Sequence, residues 1–179
     1  MDDDQTIVIA DSDNNRIVEW KSGARSGEVL AGGNGRGNKT DQLNEPTDMI
    51  VDEETDSLII CDSRNRRVWV KDATEGIVVA GGRGPGDALT QLSRPQAVFV
   101  DNLDTIYVTD EANHRVIRWC KGATHGDVIV GQDQKEKNEL NAPNDFSFDR
   151  HGNLKGGWAL AGLPLFLFSP MGTVFADGG

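Results

Sequence analysis

Two stretches and two scattered sets of residues carry side-chain types suited to holding an ion or a phosphate or to nucleophilic attack, and each lacks a required part. Asp11-Ser12-Asp13-Asn14-Asn15 matches the opening of a helix-flanked calcium loop. Arg16 stands where such a loop needs its turn glycine, and Ser22 stands where the bidentate glutamate belongs. Gly33-Asn-Gly-Arg-Gly-Asn38-Lys39-Thr40 approaches a phosphate-binding loop. Asn38 replaces the glycine before the lysine, and no helical pattern follows to aim its N-terminus at a phosphate. The histidines His114, His125 and His151 are too scattered to be read as one zinc site, which would need them to converge. Cys61 and Cys120 form no C-x-x-C and have no adjacent base, and Cys61 reads as a small hydrophobe filling a strand. No catalytic residue, metal ligand or cofactor is expected. Asn38-Lys39-Thr40 is a glycosylation sequon in an exposed loop.

The calcium-like stretch has a different meaning, because it recurs. Asp11-x-x-Asn14-x-Arg16 returns as Asp62-x-x-Asn65-x-Arg67 and as Asp110-x-x-Asn113-x-Arg115. Leu43-x-x-Pro46, Leu92-x-x-Pro95 and Leu140-x-x-Pro143 form a second series, each followed by an aspartate (Asp52, Asp101, Asp149). Ala31-Gly32-Gly33, Ala80-Gly81-Gly82 and a weaker Val130-Gly131 form a third. Three markers in one order, at a period of roughly 50 residues, are the mark of a repeat architecture.

Each full period holds four short apolar runs bounded by turn residues, rich in β-branched and aromatic side chains. In the middle period they are Met49–Val51, Leu58–Ile60, Val68–Val70 and Ile77–Val79. No stretch sustains a helical period with caps. Four strands per repeat of this length predict one β-propeller blade per period.

The combined pattern L-x-x-P-x-x-h-x-h-D, then h-h-h-x-D-x-x-N-x-R-h, resembles the NHL repeat over residues 6–154. The resemblance implies an all-β fold, a partial NHL-type β-propeller of about three four-stranded blades whose ring one copy cannot close. The blades are expected at about 6–46, 47–95 and 96–143 within a unit 1–154 that includes the start of a fourth. Known NHL domains are usually six-bladed, so two copies would supply a full ring as a homodimer. The tail 155–179 falls outside the repeat and is uncharged from Gly156 to Ala176. It reads as a divergent strand pair, as foreign sequence at a gene end, or as a membrane segment.

The aspartates Asp11, Asp62 and Asp110 are expected to accept backbone N–H groups of a tight turn. Asn14, Asn65 and Asn113 are expected to take left-handed geometry in it. Arg16, Arg67 and Arg115 are expected to fork onto a carboxylate, and Pro46, Pro95 and Pro143 to open the innermost strands. Function is expected where the repeat varies, on the face shared by these turns and the long glycine-rich loops. The candidate binding residues there are Asn15, Arg36, Arg66, Arg83 and His114. The innermost strands should line a channel through Asp48, Ile50, Ala97, Phe99, Asp145 and Ser147, a set poor in metal ligands.

Lys and Arg number 18 against 29 Asp and Glu, a net charge of −11. That weighs against nucleic acid and anionic membranes as partners, although Arg64, Arg66 and Arg67 form a local basic cluster. Met1 is followed by Asp2, Asp3 and Asp4, not by the basic and apolar regions of a signal peptide. The compartment stays open. The leading expectation is a non-catalytic binding or scaffold module facing a protein or peptide. The alternatives are a metal-assisted lyase- or hydrolase-like propeller, an RNA-binding NHL domain, and a truncated, non-functional gene product.

Overall fold

The computed structural model describes residues 6–52, 55–71, 76–131 and 140–148, and the backbone of strands 154–156, 167–168 and 174–175. The first sheet has three strands, β1 (Thr6–Asp11), β2 (Arg16–Lys21) and β3 (Glu28–Gly32). The second has four, β4 (Pro46–Asp52), β5 (Ser57–Asp62), β6 (Arg67–Lys71) and β7 (Gly76–Gly81). The third repeats it with β8 (Pro95–Val100), β9 (Ile106–Asp110), β10 (Arg115–Trp119) and β11 (Asp127–Gly131). Two short antiparallel pairs follow, β12 (Phe146–Phe148) with β13 (Leu154–Gly156), and β14 (Leu167–Phe168) with β15 (Val174–Phe175). Neighbours in every sheet are antiparallel, and the helical content of the described residues is two single 3-10 turns, Ser63–Asn65 and Glu111–Asn113. The chain therefore folds as blades of a β-propeller.

Each apolar run became a strand because its alternation suits a pleat covered on both faces. In β5, Ile59 and Cys61 point toward the third blade, where they pack with Val68, Val98, Val108, Ile117 and Trp119. Leu58 and Ile60 point the other way, onto Ile17, Ala31 and Leu43 of the first blade. Leu43 and Leu92 of the repeated L-x-x-P are fully buried in these two junctions. Cys61 is buried, and burial pushes its thiol pKa up, so it behaves as a small hydrophobe.

The face of the first blade that points away from the second carries Ile7, Ile9, Trp20 and Val29, each more than two-fifths exposed. In the second and third blades the positions matching Ile7 and Ile9, which are Leu58 and Ile60, then Ile106 and Val108, pack against the preceding blade.

The channel-lining expectation is corrected. Inner-strand side chains alternate between neighbouring blades, because the faces of the blades stack on one another. Ile50 packs into the junction of blades two and three. Ala97 and Phe99 pack toward β12, with Phe99 in aromatic contact with Tyr107 and Phe146. Asp48 Oδ2 accepts the Val98 N–H at 2.9 Å, tying one inner strand to the next, and its Oδ1 accepts the Met49 N–H. Asp145 Oδ1 accepts the Phe146 N–H, and Ser147 is exposed.

Burial pushes the Asp48 carboxyl above its ordinary range, against the two backbone donors and with a smaller contribution from Asp145. A carboxylate raised in the folded state adds stability at low pH and loses it as pH rises through the folded pKa. Asp48→Asn cannot ionise. Its Tm relative to wild type should therefore become more favourable between about pH 4 and about pH 7. Thermal scans at both values test this; a difference that is constant, or larger at low pH, would contradict it.

Among the described residues no helix is long and apolar enough to cross a membrane. The tail contributes the β14–β15 strand pair, with Leu167 opposite Phe175.

Candidate functional site

The repeated D-x-x-N-x-R builds one turn in all three blades. In the second, Asp62 Oδ2 accepts Arg67 Nε–H at 2.7 Å and Asn65 Nδ2–H at 2.8 Å. In the third, Asp110 Oδ2 accepts Arg115 Nε–H at 3.0 Å and Asn113 Nδ2–H at 2.6 Å. In the first, Asp11 takes Arg16 at 2.7 Å and Asn14 at 2.9 Å. The remaining N–H groups of the guanidinium reach back to the long loop arriving from the preceding blade. Arg67 donates to the carbonyls of Asn38, Lys39 and Gln42, and Arg115 to those of Asp87, Ala88 and Gln91. Asn65 and Asn113 add the carbonyls of Gly37 and Gly86. The motif is thus a clamp between blades.

Two expected details are corrected. Asp62 and Asp110 accept backbone N–H groups not of their own turn but of the incoming loop, Asn44 for Asp62, and Ser93 and Arg94 for Asp110. The left-handed residue is not the repeated asparagine but its successor: Asn15 (φ 55°), Arg66 (φ 56°) and His114 (φ 53°). The asparagines of the last two blades lie inside the 3-10 turn, where their amides serve the clamp.

The successor positions also explain the glycine marker. A Cβ on Gly32, Gly81 or Gly131 would collide with the backbone carbonyl of Asn15, Arg66 or His114, and each glycine has φ between 69° and 94°. A further glycine series, Gly27, Gly76 and Gly126, lies five residues upstream and was missed in the sequence. Cβ atoms there would meet Val18, Trp69 and Ile117. Aligning the three repeats column by column would have exposed it.

The D-x-x-N-x-R turns and the long loops share one face, as these bonds require. Among the five candidate binding residues, Asn15 and His114 are partly committed to the fold. Asn15 Oδ1 accepts the Glu45 N–H and His114 Nδ1 the Ala142 N–H, each just before Pro46 or Pro143 of the next inner strand. Arg36 and Arg64 converge on Glu45, with Arg64 Nε at 2.8 Å and Arg36 Nη2 at 3.8 Å. The Arg64 bond holds the Glu45 carboxyl below its usual range. Arg94 pairs with Glu111 at 3.0 Å. The basic cluster is smaller than the sequence implied, because Arg67 is buried and spent on Asp62. Arg66 and Arg83 have no carboxylate within ion-pair distance among the described residues. The Gly82 N–H donates to the Arg66 carbonyl at 2.8 Å, so these two arginines come from adjoining turns. Burial pushes Asp62 up, and the Asn65, Asn44 and Arg67 donors oppose it.

Among the described residues no three His, Cys, Asp or Glu side chains converge to hold a metal. His114 and His125 are exposed, and His151 lies outside the described residues.

The NHL repeat pattern matches residues 92–119, the third-blade segment from Leu92 to Trp119. No curated protein matches the chain. Among solved structures, the chain is similar to one in a nidogen/laminin complex, at 18% identity and TM-score 0.67, covering 94% of this chain and 57% of that one. It is similar to a gluconolactonase of Xanthomonas campestris at 18% identity and TM-score 0.67, covering 97% and 57%. A Bacteroides thetaiotaomicron protein of unknown function matches at 13% identity and TM-score 0.62, covering 94% and 43%. The chain thus spans 43% to 57% of the length of these solved chains. The third blade thus carries an NHL repeat at residues 92–119, and the chain as a whole folds as β-propeller blades.

Proposed function

We propose that the chain is a non-catalytic binding module whose loop face receives an acidic segment of a protein or peptide at Arg66 and Arg83. The observation that carries this reading is the state of the arginines on that face. Arg36, Arg64 and Arg94 are held by Glu45 and Glu111, whereas Arg66 and Arg83 have no ion-pair partner among the described residues. Arg66 is half-buried and Arg83 exposed, on turns held by the interblade clamps, and a guanidinium forks onto carboxylates at little cost in rearrangement. A propeller of similar fold occurs in a nidogen/laminin complex, which supports a role in protein contact. The likeness to a gluconolactonase, at 18% identity, extends to the fold.

The test is capture of partners from lysate by wild type and by the Arg66→Glu/Arg83→Glu variant. The variant should keep a melting temperature close to wild type, since neither side chain makes an ion pair among the described residues, and should lose the partners that wild type retains. Equal capture by both proteins would place the binding surface elsewhere. Hydrolysis of gluconolactone above the uncatalysed rate would overturn the non-catalytic reading.

A further inference from the structure

Between the second and third blades, at the strand ends opposite the arginine loops, lies a cavity of about 350 Å³. Its walls are aliphatic and aromatic, with Ile59, Val70, Ile77, Val100, Ile106 and Trp119 among them. Exposed Asp104, Cys120 and Lys121 also border it. The volume falls within the range of small-molecule sites, roughly 300–1,000 Å³.

The repeat shows that one pair of these wall residues is particular to this junction. Val70 and Ile77 face each other across β6 and β7. The matching pair in the first blade is Glu19 and Glu28, and in the third blade Arg118 and Asp127. Arg118 and Asp127 approach to 3.8 Å as an ion pair. The same cross-strand position is thus charged in the first and third blades and apolar in the second, where it borders the cavity. Ile77 is left 56% exposed there, a cost in hydration with no packing return inside the blade.

We propose that this cavity binds a small, uncharged, apolar ligand, aromatic or short-chain aliphatic. Among the described residues its charged neighbours already have partners, Lys121 with Asp104 at 2.6 Å and Asp52 with the Thr55 hydroxyl at 2.6 Å. A charged ligand would lose its hydration against apolar walls without gaining a counterion. A neutral apolar ligand would cover Ile77 and Trp119. This site is separate from the loop face, and its failure would leave the partner reading intact.

The test uses the full chain and the neutral fluorophore N-phenyl-1-naphthylamine. Wild type should bind one probe per chain, saturably, with enhanced emission. Val70→Glu/Ile77→Glu rebuilds the pair that β2 and β3 already tolerate at Glu19 and Glu28, so the blade should fold. It should bind the probe at least about tenfold more weakly. A second readout needs no variant and decides the matter if the double mutant does not fold. Cys120 is exposed at the cavity while Cys61 is buried. With the probe at about ten times its Kd, reaction of Cys120 with Ellman's reagent should slow about tenfold. Absence of saturable binding, equal binding by the folded double variant, or an unprotected Cys120 would each overturn the proposal.

Discussion

Arg115→Ala is expected to lower the unfolding free energy by about 3–5 kcal/mol, the range for breaking one side of a buried ion pair. Arg115 and Asp110 are both fully buried. Removing the guanidinium strands the Asp110 carboxylate with Asn113 and two backbone N–H donors. It also leaves the carbonyls of Asp87, Ala88 and Gln91 without the donors that hold their loop to the third blade. Lysine should rescue little, since one ammonium cannot span a carboxylate on one side and three carbonyls on the other. Asp110→Asn/Arg115→Leu should recover part of the loss, because no buried charge is left unpaired. The same motif position in the first blade behaves differently. Arg16 is 38% exposed and bonds to Asp11. Arg16→Ala should therefore move the urea midpoint much less, at an unchanged m-value. Equal midpoint shifts for Arg16→Ala and Arg115→Ala would show that the clamp to the preceding loop carries no stability.

Trp69→Ala should cost a similar amount, about 3–5 kcal/mol, through a different term, the loss of a large buried ring and the cavity it leaves. Trp69 is 2% exposed and joins Leu58 and Ile60 against Ile17, Ala31 and Leu43 of the first blade. The Arg67 guanidinium lies 5.7 Å from its ring centroid, a cation–π distance. Gly76 opens the slot, since a Cβ there would run into the indole. Because the ring is a main filler of this junction, its loss should loosen the first blade before the third. Amide exchange should accelerate in β1 to β3 and stay slow in β8 to β10. Trp69→Phe should restore much of the lost stability. Uniform acceleration across all three blades, or a loss below about 1 kcal/mol, would remove Trp69 from its place as the filler of that junction.

The sequence was most legible where structure depends on near neighbours. Alternating apolar residues between turn residues became strands in all three blades, because a pleat needs only the i, i+2 pattern and a turn at each end. The marker series located the turns for the same reason: the Asp–Asn–Arg contacts span three to five residues. The candidate face was legible only as a list of variable positions. That Asn15 and His114 double as acceptors for the next inner strand depends on partners about thirty residues away.

The left-handed position was misplaced by one residue. Asn65 and Asn113 fit local turn preferences, but their amides are needed by the loop carbonyls of Gly37 and Gly86. The channel expectation failed on a larger scale. Alternation assigns Ala97 and Phe99 to one side of a strand, and only the stacking of blades shows that this side meets the next blade. The apolar cavity was hidden for the same reason, since Val70 and Ile77 read in sequence as ordinary strand residues. Residue order thus determined which segments are strands, which are turns and that they repeat. The stacking of one blade on another decided which charges are spent, which glycines have no room for a side chain and which surfaces stay open, because each of these depends on groups that meet only when distant segments pack.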